Sequence, residues 1–294
     1  MKRCKILMLC LLCGICVIGI CVKQSLRKKF YDYNVIAHAG GGIDGHIYTD
    51  SLEAINNSYD NGARLFDIDL RFTSDIEIVL RHDWTGIDLE QPEFEYLYHV
   101  EQWASEYCQE QIPRKYLPTM EQFKNAKIFS SYTPLSFHDI VEWLQIHPDA
   151  YMVLDVKEDA KETYSWIVDH FKENKKVLDQ LVVSCYDVQD LEDILNIYSF
   201  KHIMLRQHAV YPDKFDELVS NCEKYNVKAV NINLQYATDE KIQEIRKKGI
   251  KIFWAVENDL NEYQEKYLGD GVVSDWITEN QINGLCETFS VKVL

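Results

Sequence analysis

The chain has 294 residues, 47% of them hydrophobic, and a formal net charge of −16 from 47 acidic and 31 basic side chains. Seven basic residues and no acidic one stand among the first 29, so the remainder carries −23. Such an acidic body excludes a nucleic-acid groove, which needs clustered Lys and Arg to displace counterions from phosphates, and it excludes broad docking on anionic lipid.

The chain begins with an uninterrupted apolar run over 6–22, preceded by Lys2, Arg3 and Lys5 and followed by Lys23, Arg27, Lys28 and Lys29. As a helix rising about 1.5 Å per residue it spans roughly 25 Å, slightly less than a bilayer core, which suits a signal anchor or a signal peptide. The anchor is favoured. No small-x-small cleavage site precedes Lys23, and Ile20 stands before Cys21 where lipid attachment would want a small residue. The export-like n-region puts the following domain outside, so we expect a single-pass membrane protein with an extracytoplasmic catalytic domain, or a secreted one if the segment is cleaved. Five of the nine cysteines fall in or beside this run. The others, Cys108, Cys185, Cys222 and Cys286, are too scattered for a C-x-x-C zinc pair or a disulfide framework, and free buried thiols are expected.

Residues 30–294 read as one domain in which strand-like and helix-like stretches alternate without a Pro/Gly/Ser linker. Strands are predicted at 35–38, 64–70, 151–156, 181–184, 202–205, 229–233, 251–256 and 271–274. Amphipathic helices are predicted at 51–61, 136–146, 161–171, 189–197, 213–225, 239–248 and 260–267. Eight such strands, separated by helices, in this length point to an α/β fold of the (β/α)8 TIM-barrel type. An open doubly wound sheet is the alternative, but the G-x-G-x-x-G turn after the first strand is absent. Two irregularities stand out: an extra strand at 76–80, and a long aromatic and acidic insertion at 84–130 after the second barrel strand. Loops of that length usually serve function, so the insertion is expected to shape the substrate entrance.

Chemistry concentrates in 35–84, where polar groups stand at the ends of apolar stretches. Asp67 and Asp69, one residue apart, share a face of their strand. Asp155 closes the third strand, so neighbouring strand ends bring three carboxylates together. Like charges so placed need a cation, and all-oxygen donors suit Ca2+ or Mg2+ rather than zinc. Lys157 shares the Asp155 side and can meet a phosphate oxygen. His38 and His82 are the natural proton carriers, because imidazole titrates near neutrality. Gly40, Gly41 and Gly42 either present backbone amides to an anion or make a tight turn.

The order H-x-G-G, S-L-E-A-I, a D-I-D strand, T-S-D, R-H-D-W, V-L-D-V-K, F-W-A-V-E-N and V-V-S-D-W resembles the glycerophosphodiester phosphodiesterases, TIM-barrel enzymes related to phosphatidylinositol-specific phospholipases C. The resemblance runs over 35–277 and is diffuse over 91–135. It implies a metal-dependent phosphodiester hydrolase acting on glycerophosphodiesters or related lipid-derived headgroups. His38 and His82 would be the general acid–base pair, Asp67, Asp69 and Asp155 the ligands of a divalent ion, and Lys157 with Trp254 the substrate contacts.

The chain departs from the family pattern at three points. The arginine of H-R-G, which grips phosphate, is Ala39; both glutamates of the metal site are shortened to Asp67 and Asp155; and Thr49-Asp50-Ser51 replaces E-N-T. Arg81 or Arg206 are the candidates to replace the missing arginine. Two other readings stand beside the leading one. One is a phospholipase C or D with an apolar entrance of Trp84, Phe94, Tyr96, Tyr98 and Trp103; the other is a catalytically silent barrel that binds phosphorylated headgroups.

Overall fold

The computed structural model describes residues 28–84, 113–207, 215–233, 238–255, 270–275 and 277. Its strands are β1 (Val35–Ala37), β2 (Leu65–Phe72), β3 (Ile78–Leu80), β4 (Tyr151–Val156), β5 (Leu181–Cys185), β6 (His202–Gln207), β7 (Ala229–Asn233), β8 (Lys251–Ala255) and β9 (Gly271–Ser274). All but β3 are parallel to their neighbours and close a ring in the order β1-β2-β4-β5-β6-β7-β8-β9, with β9 pairing back onto β1. β3 lies antiparallel on the far end of β2, Leu70 opposite Leu80. This is the (β/α)8 barrel that the strand pattern predicts.

The helices between the strands begin where the sequence offers caps. α1 (Leu52–Asp60) starts at Ser51, whose hydroxyl accepts from the Ala54 amide; α3 (Phe137–Ile146) opens with a Ser136/Asp139 capping box; α4 (Ala160–Phe171), α6 (Val188–Ile197) and α8 (Asp239–Lys247) start at Asp159, Asp187 and Thr238. Each cap satisfies an amide that the first helical turn leaves open. α7 (Phe215–Lys224) faces β6, and a four-residue helix, α5 (Lys175–Leu178), was not foreseen. The described part of the insertion holds a 3-10 turn, Arg114–Tyr116, and α2 (Met120–Asn125). The helix expected at 260–267, the apolar run at 6–22 and residues 85–112 of the insertion lie outside the described residues. Among the described residues no helix is long and apolar enough to cross a membrane.

Side-chain alternation places the site. Side chains two apart on a strand share a face. On one face Ile36, Leu65, Val153, Val182, Met204, Ala229, Phe253 and Val273 pack together inside the ring, at its amino-terminal pole, where Phe30 and Tyr151 join them. On the other face Phe66, Ile68, Leu154, Val183, Val230, Ile252, Trp254 and Val272 belong to the core shared with the helices. Two residues beyond the inward apolar layer, the same parity delivers His38, Asp67, Asp155, Ser184, Arg206, Asn231 and Asp275. A dry layer thus floors a polar one at the carboxyl ends of the strands, where barrels of this type keep their chemistry.

Candidate active site

The polar layer is built around three nearly inaccessible carboxylates, Asp67, Asp69 and Asp155. β2 and β4 set Asp69 directly beside Asp155, and Leu65, on the same face as Asp67, lies in the floor below and does not compete. Two cations face them. Lys157 Nζ lies 2.9 Å from Asp69 Oδ1 and 2.9 Å from Asp155 Oδ2. From β6, the Arg206 guanidinium donates to Asp67 Oδ1 at 2.5 Å, to Asp155 Oδ2 at 3.3 Å and to the Ser184 hydroxyl. Burial alone would raise the Asp155 carboxyl, but Arg206 and Lys157 outweigh it and hold its pKa down at about 2. For Lys157 burial is likewise overcome, here by Asp69 and Asp155, and its pKa rises.

The histidines stand at the rim. His38 Nδ1 donates to Asp275 Oδ1 at 2.7 Å, and its side chain is 22% exposed. Burial opposes charging of His38, yet the Asp275 hydrogen bond together with the charges of Asp67 and Asp69 raises its pKa above the ordinary imidazole value. His82 Nδ1 donates to Asp83 Oδ2 at 2.5 Å, and its side chain is 42% exposed. The Tyr48 ring meets both imidazoles edge-on, its centroid 4.8 Å from that of His38 and 5.9 Å from that of His82. Both histidines therefore border one space. The loop that carries Tyr48 is strained: Ala39, Asp44, Tyr48 and Asp50 all have φ between 46° and 59°, a region costly for residues with a Cβ.

The structure thus brings together His38, His82, Asp67, Asp69, Asp155 and Lys157. It does not bring Trp254 with them. That indole is wholly buried on the outward face of β8, its Nε1 donating to Asp270 Oδ2 at 3.0 Å, because it is one residue out of phase with inward-facing Phe253. Trp84, offered as part of an apolar entrance, is buried against Phe123, Leu117 and Val79 beneath the insertion; Phe94, Tyr96, Tyr98 and Trp103 lie outside the described residues. The glycine run acts as a turn at two of its three positions. The Gly41 amide donates to the His38 carbonyl at 2.7 Å and the Gly42 amide to the Asp275 carbonyl. Of the two candidate arginines, Arg81 donates Nε to the Asp83 carbonyl and so braces the His82 turn, whereas Arg206 enters the site. The sequence marks Asp50 only within the Thr49-Asp50-Ser51 departure and Asp275 only within V-V-S-D-W, giving neither a role, and it does not single out Tyr48 or Tyr186. Asp50 is fully buried, and burial followed by the Asp69 charge pushes its carboxyl well above the usual range. Tyr186 stands at the mouth over Arg206, its ring centroid 5.7 Å from the guanidinium carbon.

Comparison with known sequences decides the family. Residues 41–279 match the glycerophosphoryl diester phosphodiesterase family. The chain belongs to it. The glycerophosphoryl diester phosphodiesterase family places the protein among the phosphoric diester hydrolases, and the solved structures it resembles agree in fold. A glycerophosphodiester phosphodiesterase from Thermotoga maritima is 19% identical with a TM-score of 0.61, covering 85% of this chain and 97% of its own. A phosphodiesterase from Oleispira antarctica, solved with the product sn-glycerol-3-phosphate, is 16% identical with a TM-score of 0.63, covering 86% and 96%. A glycerophosphoryl diester phosphodiesterase from Parabacteroides distasonis is 15% identical with a TM-score of 0.63, covering 90% and 89%. No curated protein sequence matches this chain significantly.

Glycerophosphoryl diester phosphodiesterases generally use a divalent metal. In this member, no three His, Cys, Asp or Glu side chains among the described residues are grouped so as to hold one. The donor set shows why: Asp67 Oδ1, Asp69 Oδ1 and Asp155 Oδ2 are each turned onto Arg206 or Lys157. The residues present do not fit a divalent ion bound by these three carboxylates.

Proposed function

We propose that the protein hydrolyses glycerophosphodiesters or related lipid-derived headgroups by acid–base catalysis between His38 and His82. The observation that carries this reading is the pair of imidazoles that both contact the Tyr48 ring, at the strand ends whose inward side chains include Lys157 and Arg206. With each Nδ1 engaged by an aspartate, Nε2 is the ring atom each histidine offers to substrate. His38, held toward its charged form, protonates the leaving alkoxide; His82, the more exposed, takes the proton from an attacking hydroxyl, either the alcohol beside the phosphate or water. Charge that develops on the nonbridging oxygens meets the Lys157 ammonium and the guanidinium edge beside Tyr186. All-oxygen donors suit Ca2+ or Mg2+, and the family generally uses a divalent ion; in this chain the pairing of Asp67, Asp69 and Asp155 with Arg206 and Lys157 supports a site neutralised by those side chains.

In the same reading the run at 6–22 anchors the protein with its barrel outside the membrane, and the enzyme is secreted if that run is removed. Protease protection and carbonate extraction of the expressed chain test this.

The catalytic reading is tested by release of glycerol 3-phosphate or free alcohol from glycerophosphodiesters. Turnover is expected to fall about 100-fold or more in His38→Ala and in His82→Ala. Equal turnover in either variant and the parent refutes the assignment. Neither alternative gains support from the structure. Trp84 lines no entrance, and the histidines of a silent barrel would have no cause to share one space.

A further inference from the structure

We propose that the Arg206 guanidinium, held between Asp67 and Asp155 with the Lys157 ammonium beside it, is the resident cation of this site, so that phosphodiester cleavage proceeds without a bound divalent ion. Arg206 is 7% exposed and reaches across the barrel interior from β6, with Ser184 of β5 accepting from Nε, Asp67 and Asp155 accepting from its terminal nitrogens, and the Tyr186 hydroxyl 3.5 Å from Nη1. A guanidinium stays charged at every accessible pH and is weakly hydrated, so it tolerates this depth better than an ammonium would. Lys157 completes the arrangement by bridging Asp69 and Asp155. Asp155 Oδ2 is thereby shared by both cations, and each of the three carboxylates is paired to at least one of them.

A hard divalent ion asks for six or more oxygens at about 2.0–2.6 Å, waters among them, with at least one or two free carboxylates to offset its charge. Asp67 Oδ1, Asp69 Oδ1 and Asp155 Oδ2 are taken by Arg206 or Lys157, and Asp69 Oδ2 and Asp50 Oδ2 are fully buried oxygens without a hydrogen-bond partner. An ion placed on them would stand next to Lys157, which already holds the other oxygen of Asp69, and repulsion between like charges is strong where water is excluded. Two sequence features fit the same arrangement. Aspartate at 67 and 155 is one methylene shorter than glutamate, which draws the carboxylates back and leaves room for a guanidinium between them. The residue after His38 is Ala39, so no arginine enters from the end of β1. One cation on β6 then serves both to neutralise the acids and to receive the phosphate charge.

The test is made on the full chain in two arms, hydrolysis of a glycerophosphodiester with and without chelator, and direct titration of Ca2+ and of Mg2+ by calorimetry. The wild type is expected to keep its turnover within about 2-fold in chelator and to bind neither ion stoichiometrically at millimolar concentration. Arg206→Gln is expected to lose about 100-fold or more of turnover, to acquire stoichiometric divalent binding and to recover part of its turnover with the ion. Arg206→Lys keeps the charge without the fork and is expected to lose less; thermal unfolding shows whether either variant is folded. The proposal is overturned if chelator abolishes wild-type turnover and a divalent ion restores it, or if the wild type binds one ion stoichiometrically. The turnover arm rests on the phosphodiesterase reading. If no substrate is cleaved under either condition, that reading fails while the calorimetry still decides the cation.

Discussion

Replacing Asp275 with Asn isolates the orientation of His38 from its presence. The 2.7 Å bond from His38 Nδ1 to Asp275 Oδ1 is charge-assisted, and Asp275 is 3% exposed, so the neutral amide of the variant removes a buried countercharge that water cannot replace. A hydrogen bond to a buried charge is worth about 1.5–3 kcal/mol. If it acts on the transition state, its loss lowers kcat/KM by about 10- to 150-fold. Asn can also turn its amide toward Nδ1, which favours the tautomer with the proton on Nε2 and lowers the driving force for charging the ring. The pH dependence carries the sign. In the wild type the raised pKa of His38 keeps the acid form to higher pH than a free imidazole, so activity that needs it falls as pH rises through that pKa. In Asp275→Asn this alkaline limb moves to lower pH. The assay is kcat/KM for a glycerophosphodiester across the neutral and alkaline range, alongside circular dichroism. An unchanged limb with a full-sized kcat/KM would refute the role given to Asp275, and an equal loss at every pH would leave it as packing alone.

Two further substitutions test the scaffold. Gly41→Ala places a Cβ 2.1 Å from Ser58 Oγ at a φ of +94°, so a loss of at least about 2 kcal/mol in chemical denaturation is expected; a neutral result would mean that the turn holding His38 is not as rigid as drawn. Phe30→Ala empties the closed pole of the barrel, where the ring is 1% exposed and lies 5.3 Å from His202 and 6.5 Å from Tyr151. It is expected to cost about 3–5 kcal/mol with kcat little changed among molecules that remain folded, and a loss of activity at full stability would contradict the separation of floor and site.

The strands were legible in the sequence because barrel strands are buried on both faces and read as short apolar runs between capped helices. The predicted strand at 151–156 and those at 229–233 and 271–274 coincide with β4, β7 and β9. The acids and histidines were legible because they interrupt such runs. What escaped was the placement that depends on parity across strands: Arg206 stood only as one of two candidate arginines, and Asp275 had no role assigned. Arg206 and Asp275 each stand two residues beyond an inward apolar residue, Met204 and Val273, so counting by twos from the floor reaches both. The same count excludes Trp254, which a motif alone had placed beside substrate. Tyr48 and Asp50 could not be found that way, since they lie in a coiled loop that has no period and takes its shape from left-handed backbone at several positions.

Phe30 is sealed among the first residues of the strands, and the Lys28 carbonyl accepts a hydrogen bond from Tyr151, so the chain arrives at the pole farthest from the histidines. Whatever lies upstream therefore pulls on the blind end of the barrel, like a stem on a cup. A protein fixed to a surface by its amino terminus would hold its mouth away from that surface and meet diesters arriving from the surrounding medium before those still embedded beneath it.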